Sequence, residues 1–140
     1  MTTTMRTDTW LNTVTIDGVD LGIWDTFKGG DADSTVMTYR PGGMKDTRVI
    51  GGQKTVSPIT LDRSIQMETD WAIVGKLMRA SVGVSTVVVH RQPLNYNKQP
   101  YGTPLIYTGI LKQVLPGDTD SQKADAQLWS IVMVPGSTIG

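Results

Sequence analysis

Residues Met37–Arg63 read MTYRPGG, MKDTRVIGGQK and TVSPITLDR in succession. Each end carries Val, Thr, Tyr and Ile in partial alternation, which is a strand signature. Pro41-Gly42-Gly43 ends the first strand, because Pro has no N–H to give a ladder and Gly admits unusual φ/ψ values. The excursion from Pro41 to Ser57 is longer than a hairpin turn. Structureless loops beyond ~12–15 residues are uncommon in compact domains and are usually functional or disordered. This one holds Lys45, Arg48 and Lys54 but also Val49 and Ile50, which a disordered linker would largely lack. It reads as an arm that becomes ordered on a partner.

Outward from this stretch, Thr9–Ile16 alternates, with Trp10, Asn12, Val14 and Ile16 on one side. Asp17-Gly18 marks a tight turn and Val19–Trp24 returns, so the pair reads as a β-hairpin. Thr26–Asp33 reads as loop, Ser34–Arg40 as a strand and Thr55–Ile65 as the strand after the arm. Over residues 68–82 the period changes. Trp71, Val74, Leu77, Met78 and Val82 recur at steps of three and four, which predicts an amphipathic helix whose stripe faces the core. Thr69 or Asp70 would cap it and Gly83 would end it. Expected core partners are Val14, Ile16, Ile59, Leu61, Val88, Leu111 and Ile131. Strands are then expected at Val84–Gln92, Leu105–Leu115 and Asp125–Val134, with a polar loop at Pro93–Pro104. Residues 1–8 and 135–140 are expected to be flexible ends of a single domain spanning 1–140. About seven or eight strands with one helix make a mainly β sandwich or small barrel.

Composition narrows the function. A chain of this length buries ~68% of its unfolded surface, enough for a core. Thirteen basic residues balance thirteen acidic ones, so the chain lacks the basic excess of ordinary nucleic-acid binders. It contains no Cys, which removes disulfides and thiolate chemistry and fits assembly in a reducing cytoplasm. Met1–Trp10 is polar and Thr-rich, unlike a signal peptide, and no apolar run reaches the ~18–20 residues of a membrane span.

No constellation for catalysis or metal binding emerges. His90 is the only His and has no carboxylate near it in sequence, so it reads as an ordinary strand residue. Asp31–Ser34 and Asp118–Ser121 resemble fragments of calcium loops but lack the Gly and bidentate Glu, and read as turns. The pairs Gly29-Gly30, Gly42-Gly43 and Gly51-Gly52 do not stand between a strand and a helix, so no phosphate loop is indicated. Ser57, Ser64 and Ser85 have no recognisable activating base. No catalytic residue, metal or cofactor is expected.

Tyr39, Arg40, Gly42 and Gly43, then Lys54, then Pro58, Ile59, Thr60, Leu61 and Arg63, together with Val14–Trp24 and the Glu68–Trp71 helix start, resemble the tail tube proteins of tailed bacteriophages. The resemblance covers roughly residues 14–80. It implies that six subunits form a ring, each giving four strands to an inner barrel, and that rings stack into a tube. The tube would conduct viral DNA after the tape-measure protein, with terminator and tail-tip or baseplate proteins at its ends. It would reside in the virion tail after assembly in the bacterial cytoplasm. On this reading Arg40, Gly42, Gly43, Lys45, Arg48, Val49, Ile50 and Lys54 form the inter-ring stacking arm. Its acidic counterparts would be sought among Asp17, Asp20, Asp31, Asp33, Asp118 and Asp120. Thr38, Thr60, Asp62, Ser64, Ser85 and Thr108 alternate against apolar residues and are the candidate lumen positions. The alternatives are the tube of a secretion or contractile injection system, similar to hemolysin-coregulated protein, and a monomeric β-barrel binding module or small enzyme.

Overall fold

Asp17 and Gly18 both take positive φ, 50° and 82°, which is the geometry a two-residue hairpin turn needs. They join β1 (Trp10–Ile16) to β2 (Val19–Trp24) in a computed structural model that describes residues 4–43, 45–119, 122 and 124–140. Then follow β3 (Thr26–Gly29), β4 (Ala32–Tyr39), β5 (Arg48–Val56), β6 (Ile59–Ser64), α1 (Asp70–Ala80), β7 (Thr86–Pro93), β8 (Leu105–Leu115) and β9 (Leu128–Ile139). The Asp17 carboxylate accepts from Ser85 Oγ at 2.6 Å and from the Thr86 N–H at 3.1 Å, tying the turn to the start of β7. The Ser85 hydroxyl first, and the Thr86 N–H next, hold this carboxyl below its ordinary 3.8.

Seven strands form one antiparallel sheet in the order β2-β1-β7-β8-β9-β6-β3. Its two edge strands, β2 and β3, are separated in sequence by Asp25 alone. Two peptide units span at most about 7 Å, so the edges must meet and the sheet must curl into a barrel. At the seam the Asp25 N–H donates to the Asp62 carbonyl at 3.1 Å. Beyond that point the Arg63 guanidinium replaces the ladder. It donates to the carbonyls of Leu21 and Ile23, the free acceptors of the β2 edge. It also pairs with Asp70 at 2.6 Å, where the side chains are 13% and 3% exposed, and lies 4.5 Å from the Trp24 ring centre.

The interior follows from alternation, broken at Leu21 on β2 by a register shift. Val14 and Ile16, Leu21 and Trp24, Ile59 and Leu61, Val87 and Val89, and Trp129, Ile131 and Met133 are buried. On β8 the buried set runs Tyr107, Leu111, Val114, and the step of three comes from a register shift between Leu111 and Gln113. Trp24 and Trp129 meet at 4.7 Å between ring centres, and each aromatic of this size buries about 150–250 Å². Helix α1 contributes Val74 and Leu77 to the core.

Several expectations are corrected. The helix is shorter than residues 68–82, and its stripe is rotated. Trp71 is 63% exposed, and Met78 and Val82 also face outward. The buried line is Asp70, Val74, Leu77, Ser81, because the Asp70–Arg63 ion pair turns the first turn of the helix inward. Val88 lies on the outer face while Val87 and Val89 are buried; a run of three valines carries no alternation from which to choose. Residues 26–33 contain β3 and the start of β4 rather than a loop. The expected tail at 135–140 is strand: β9 reaches Ile139, and Gly140 and Ile106 exchange both backbone hydrogen bonds. Pro135 passes there because a register shift lies opposite it at Gly109, where a Cβ would sit 2.0 Å from the Val134 carbonyl. Residues 4–8 of the expected flexible N-terminus are exposed, and residues 1–3, Asp120 and Ser121 lie outside the described residues.

Two stability outcomes follow. Asp70→Ala leaves Arg63 charged and nearly buried without its partner, at a cost of about 3–5 kcal/mol, read as a lower urea midpoint. An unchanged midpoint would remove the pair from the seam. Asp17 binds its proton less readily when folded, so its stabilisation is fully present above pH 3.8 and is lost as pH falls through the lower folded value. Asp17→Asn, which tolerates positive φ, therefore lowers stability at neutral pH, and its gap to the parent closes on acidification. A pH-independent gap would contradict this.

Candidate assembly site

β4 and β5 pair only with each other and form a separate two-stranded sheet. This corrects the structureless arm. The apparent strand Thr55–Ile65 is broken at Ser57-Pro58, and β5 runs back from Val56 to Arg48 along β4. Gly52 makes the pairing possible, since a Cβ there would lie 2.4 Å from the Thr35 carbonyl at the register shift between Ser34 and Val36. The base is pinned where the Ser57 N–H donates to the Asp31 carbonyl at 3.0 Å and Ser57 Oγ accepts from the Asp31 N–H at 2.9 Å. At the far end Pro41–Gly43 forms a 3-10 turn with Gly42 and Gly43 at φ 59° and 75°.

The ribbon is solvated almost throughout. All of β4 is exposed, as is all of β5 except Val56, and the ribbon rests on the barrel at β9. Register and pleat place Met37, Tyr39, Arg48 and Ile50 on one face and Val36, Thr38 and Val49 on the other. Arg40, Lys45, Arg48 and Lys54 have no ion-pair partner among the described residues. Four cations against Asp33 and Asp46 leave the ribbon at +2. A two-stranded ribbon is at best marginal in water, and one with open edges and apolar side chains on both faces is a template for a partner. Of the eight expected arm residues, Arg48, Val49, Ile50 and Lys54 stand on β5, and Arg40, Gly42, Gly43 and Lys45 lie in the connection at its far end.

The expected lumen set divides. Thr60, Asp62 and Ser64 alternate with buried Ile59 and Leu61 on the outer face of β6, opposite Val132, Ser130 and Leu128. Thr108 shares this face of the sheet, opposite Val88. Ser130 Oγ donates to Asp62. Ser85 does not belong with them, being buried against Asp17, and Thr38 sits on the ribbon. Of the four expected helix-packing residues only Val74 and Leu77 are buried, whereas Trp71 and Met78 are exposed, as is Met67 just before the helix. His90 faces outward in register with Thr13 and Ile106. Among the described residues no group of three or more His, Cys, Asp or Glu is placed to hold a metal, and no helix is long and apolar enough to cross a membrane. The seam pair Arg63–Asp70 escaped the sequence reading, although Arg63 stands in the quoted motif; the partners are seven residues apart, a spacing that announces nothing.

No protein-family model matches the sequence, and no curated protein does. Solved structures do. The whole chain is similar to a chain of the anti-feeding prophage baseplate, covering 96% of it at 15% identity and a TM-score of 0.72. It is similar over its whole length to a chain of that prophage's tube-terminating cap, covering 93% of it at 13% identity and a TM-score of 0.70. A chain of an extracellular contractile injection system's sheath–tube complex matches 98% of it, with 90% of that chain covered, at 12% identity and a TM-score of 0.62. The chain thus shares its fold with these components of contractile injection assemblies.

Proposed function

We propose that this chain is a non-enzymatic structural subunit whose copies close into hexameric rings and stack into a hollow tube. The ribbon β4–β5 carries the reading. Its exposed Val36, Met37, Val49 and Ile50, and its cations with no ion-pair partner among the described residues, have no purpose in the isolated subunit. Stacking on a neighbouring ring would bury them. A tube needs contacts that close around the ring and stay open along the axis, and a projecting element suits the second kind. The structural neighbours support this: they come from a six-fold symmetrised baseplate, a tube cap and a sheath–tube complex.

In the phage form of the proposal the tube belongs to a virion tail, assembled in the host cytoplasm around a tape-measure protein and bounded by terminator and tail-tip or baseplate proteins. Double-stranded DNA passes through during ejection. Passage requires weak retention, and phosphates are retained by basic surfaces. Thr60, Asp62, Ser64 and Thr108 offer hydroxyls and one carboxylate, with Lys28 beside Thr60 as a lone neighbouring cation, and we assign the four to the lumen. The origin of the structural neighbours favours a second reading, in which the same tube serves a contractile injection system with a different cargo.

Negative-stain images over a concentration series test the assembly. The parent chain is expected to give rings with six-fold end views and hollow tubes. A variant with residues 35–53 replaced by Asn-Gly closes the ribbon at Ser34 and Lys54. It should melt within about 5 °C of the parent, yet form no tubes. Tubes from the truncated chain would overturn the stacking role. Asp62→Lys is expected to leave rings intact and to slow DNA release from assembled particles; unchanged release would remove Asp62 from the lumen.

A further inference from the structure

Between β2 and the start of α1 lies an open groove of about 400 Å³, walled by Asp20, Leu21, Ile23, Asp25, Ser64 and Ile73. Asp20 accepts only from the Gly22 N–H, at 2.8 Å, and neither Asp20 nor Asp25 has an ion-pair partner among the described residues. The one cation in the wall, Arg63, is committed to Asp70 and to the β2 carbonyls. Ile23 is 58% exposed beside them. The groove thus offers two uncompensated carboxylates beside the apolar Ile23 and Ile73. Since Arg63 occupies the carbonyls of Leu21 and Ile23, an incoming strand cannot add to that stretch of the β2 edge. A partner must enter with side chains.

The same chain carries the complementary surface. On one face of the ribbon Arg48 stands beside Ile50, with Tyr39 and Met37 directly opposite them. Residues two apart on a strand project the same way about 7 Å apart, so a cation and an apolar side chain are presented together. We propose that the groove of one copy receives this ribbon face of a second copy. Arg48 is drawn to the Asp20 and Asp25 carboxylates, and Ile50 and Met37 cover Ile23 and Ile73. The contact is heterologous, since groove and ribbon are different surfaces, and so it propagates. Opposite charges set its register, and cover over Ile23 and Ile73 adds apolar burial. This rests on the tube reading and names the receptor for the stacking arm.

The chain has no Cys, so introduced thiols report cleanly. Ile23→Cys and Ile50→Cys are placed in separate preparations, mixed under mild oxidant and compared with Ile50→Cys mixed with Asp118→Cys. Both Ile positions are exposed, so the subunits keep their fold. The 23–50 disulfide dimer is expected at least ten-fold above the control pair. Adding Asp20→Lys and Asp25→Lys to the first partner should abolish it, and Arg48→Glu in the second should restore it. Dimer yields equal to the control, or indifferent to the charge reversal, would overturn the groove. Microscopy of the same samples separates the two proposals. Tubes without the 23–50 link would discard the groove and keep the tube. The link without tubes would keep the contact between copies and discard the tube.

Discussion

The barrel is closed by a side chain. Between β2 and β6 there is no continuous ladder, and Arg63 stands in for one by donating to Leu21 and Ile23 while Asp70 holds its other nitrogen. A planar guanidinium suits this post, because its rigid fork can serve two carbonyls and a carboxylate and still lie against an aromatic face. The arrangement fixes three things at once. It brings together the edges on either side of Asp25, it sets the rotation of α1 through Asp70, and it seats Trp24 and Trp129 under the cation. Net stabilisation from a buried ion pair is modest, but loss of one partner is costly, so the seam acts more as a specification than as a source of free energy. It also protects an edge that would otherwise recruit foreign strands.

The body and the ribbon obey opposite rules. In the barrel, apolar side chains from seven strands and the helix converge on one core, and the outer face carries Thr, Ser and isolated aliphatics with Lys28, Asp62 and His90 among them. In the ribbon both faces are wet and both carry apolar residues. Such an element contributes little to the folding of its own subunit. Its apolar area and its cations count only when another molecule covers them. In the proposed tube the free energy withheld from folding becomes free energy of stacking, and pre-formed hydrogen bonds along β4 and β5 reduce the ordering entropy of that step. The bulge at Gly52 and the pinned base at Ser57 give the ribbon its direction, so stacking would be geometric as well as adhesive.

Much of the barrel was legible in the residues. Asp17-Gly18 announces its hairpin because few pairs tolerate two positive φ values in succession. β8 falls where alternating apolar residues and the flanking Pro residues put it, at Leu105–Leu115. The helix was visible from its period, but not its rotation. Two stripes, 71-74-78 and 70-74-77, compete at nearly the same spacing, and hydrophobicity alone chooses Trp71 over Asp70. The ribbon was visible as a basic, Gly-rich excursion with apolar content, yet Gly51-Gly52 and Pro58 hid its second strand.

Local chemistry therefore determined the mainly β character, the turns, the helix and the singular nature of residues 41–57, because each depends on backbone preferences and periods within a few residues. Tertiary structure alone decided which face of α1 is buried, that β9 continues through Pro135, that β4 and β5 leave the barrel, and that Arg63 meets Asp70 and β2. These rest on contacts between residues far apart in sequence: Arg63 and Leu21 are 42 positions apart, and Tyr107 and Gly30, joined by a hydrogen bond, 77. Their energy is set by what the curled sheet brings together, and no local period encodes it.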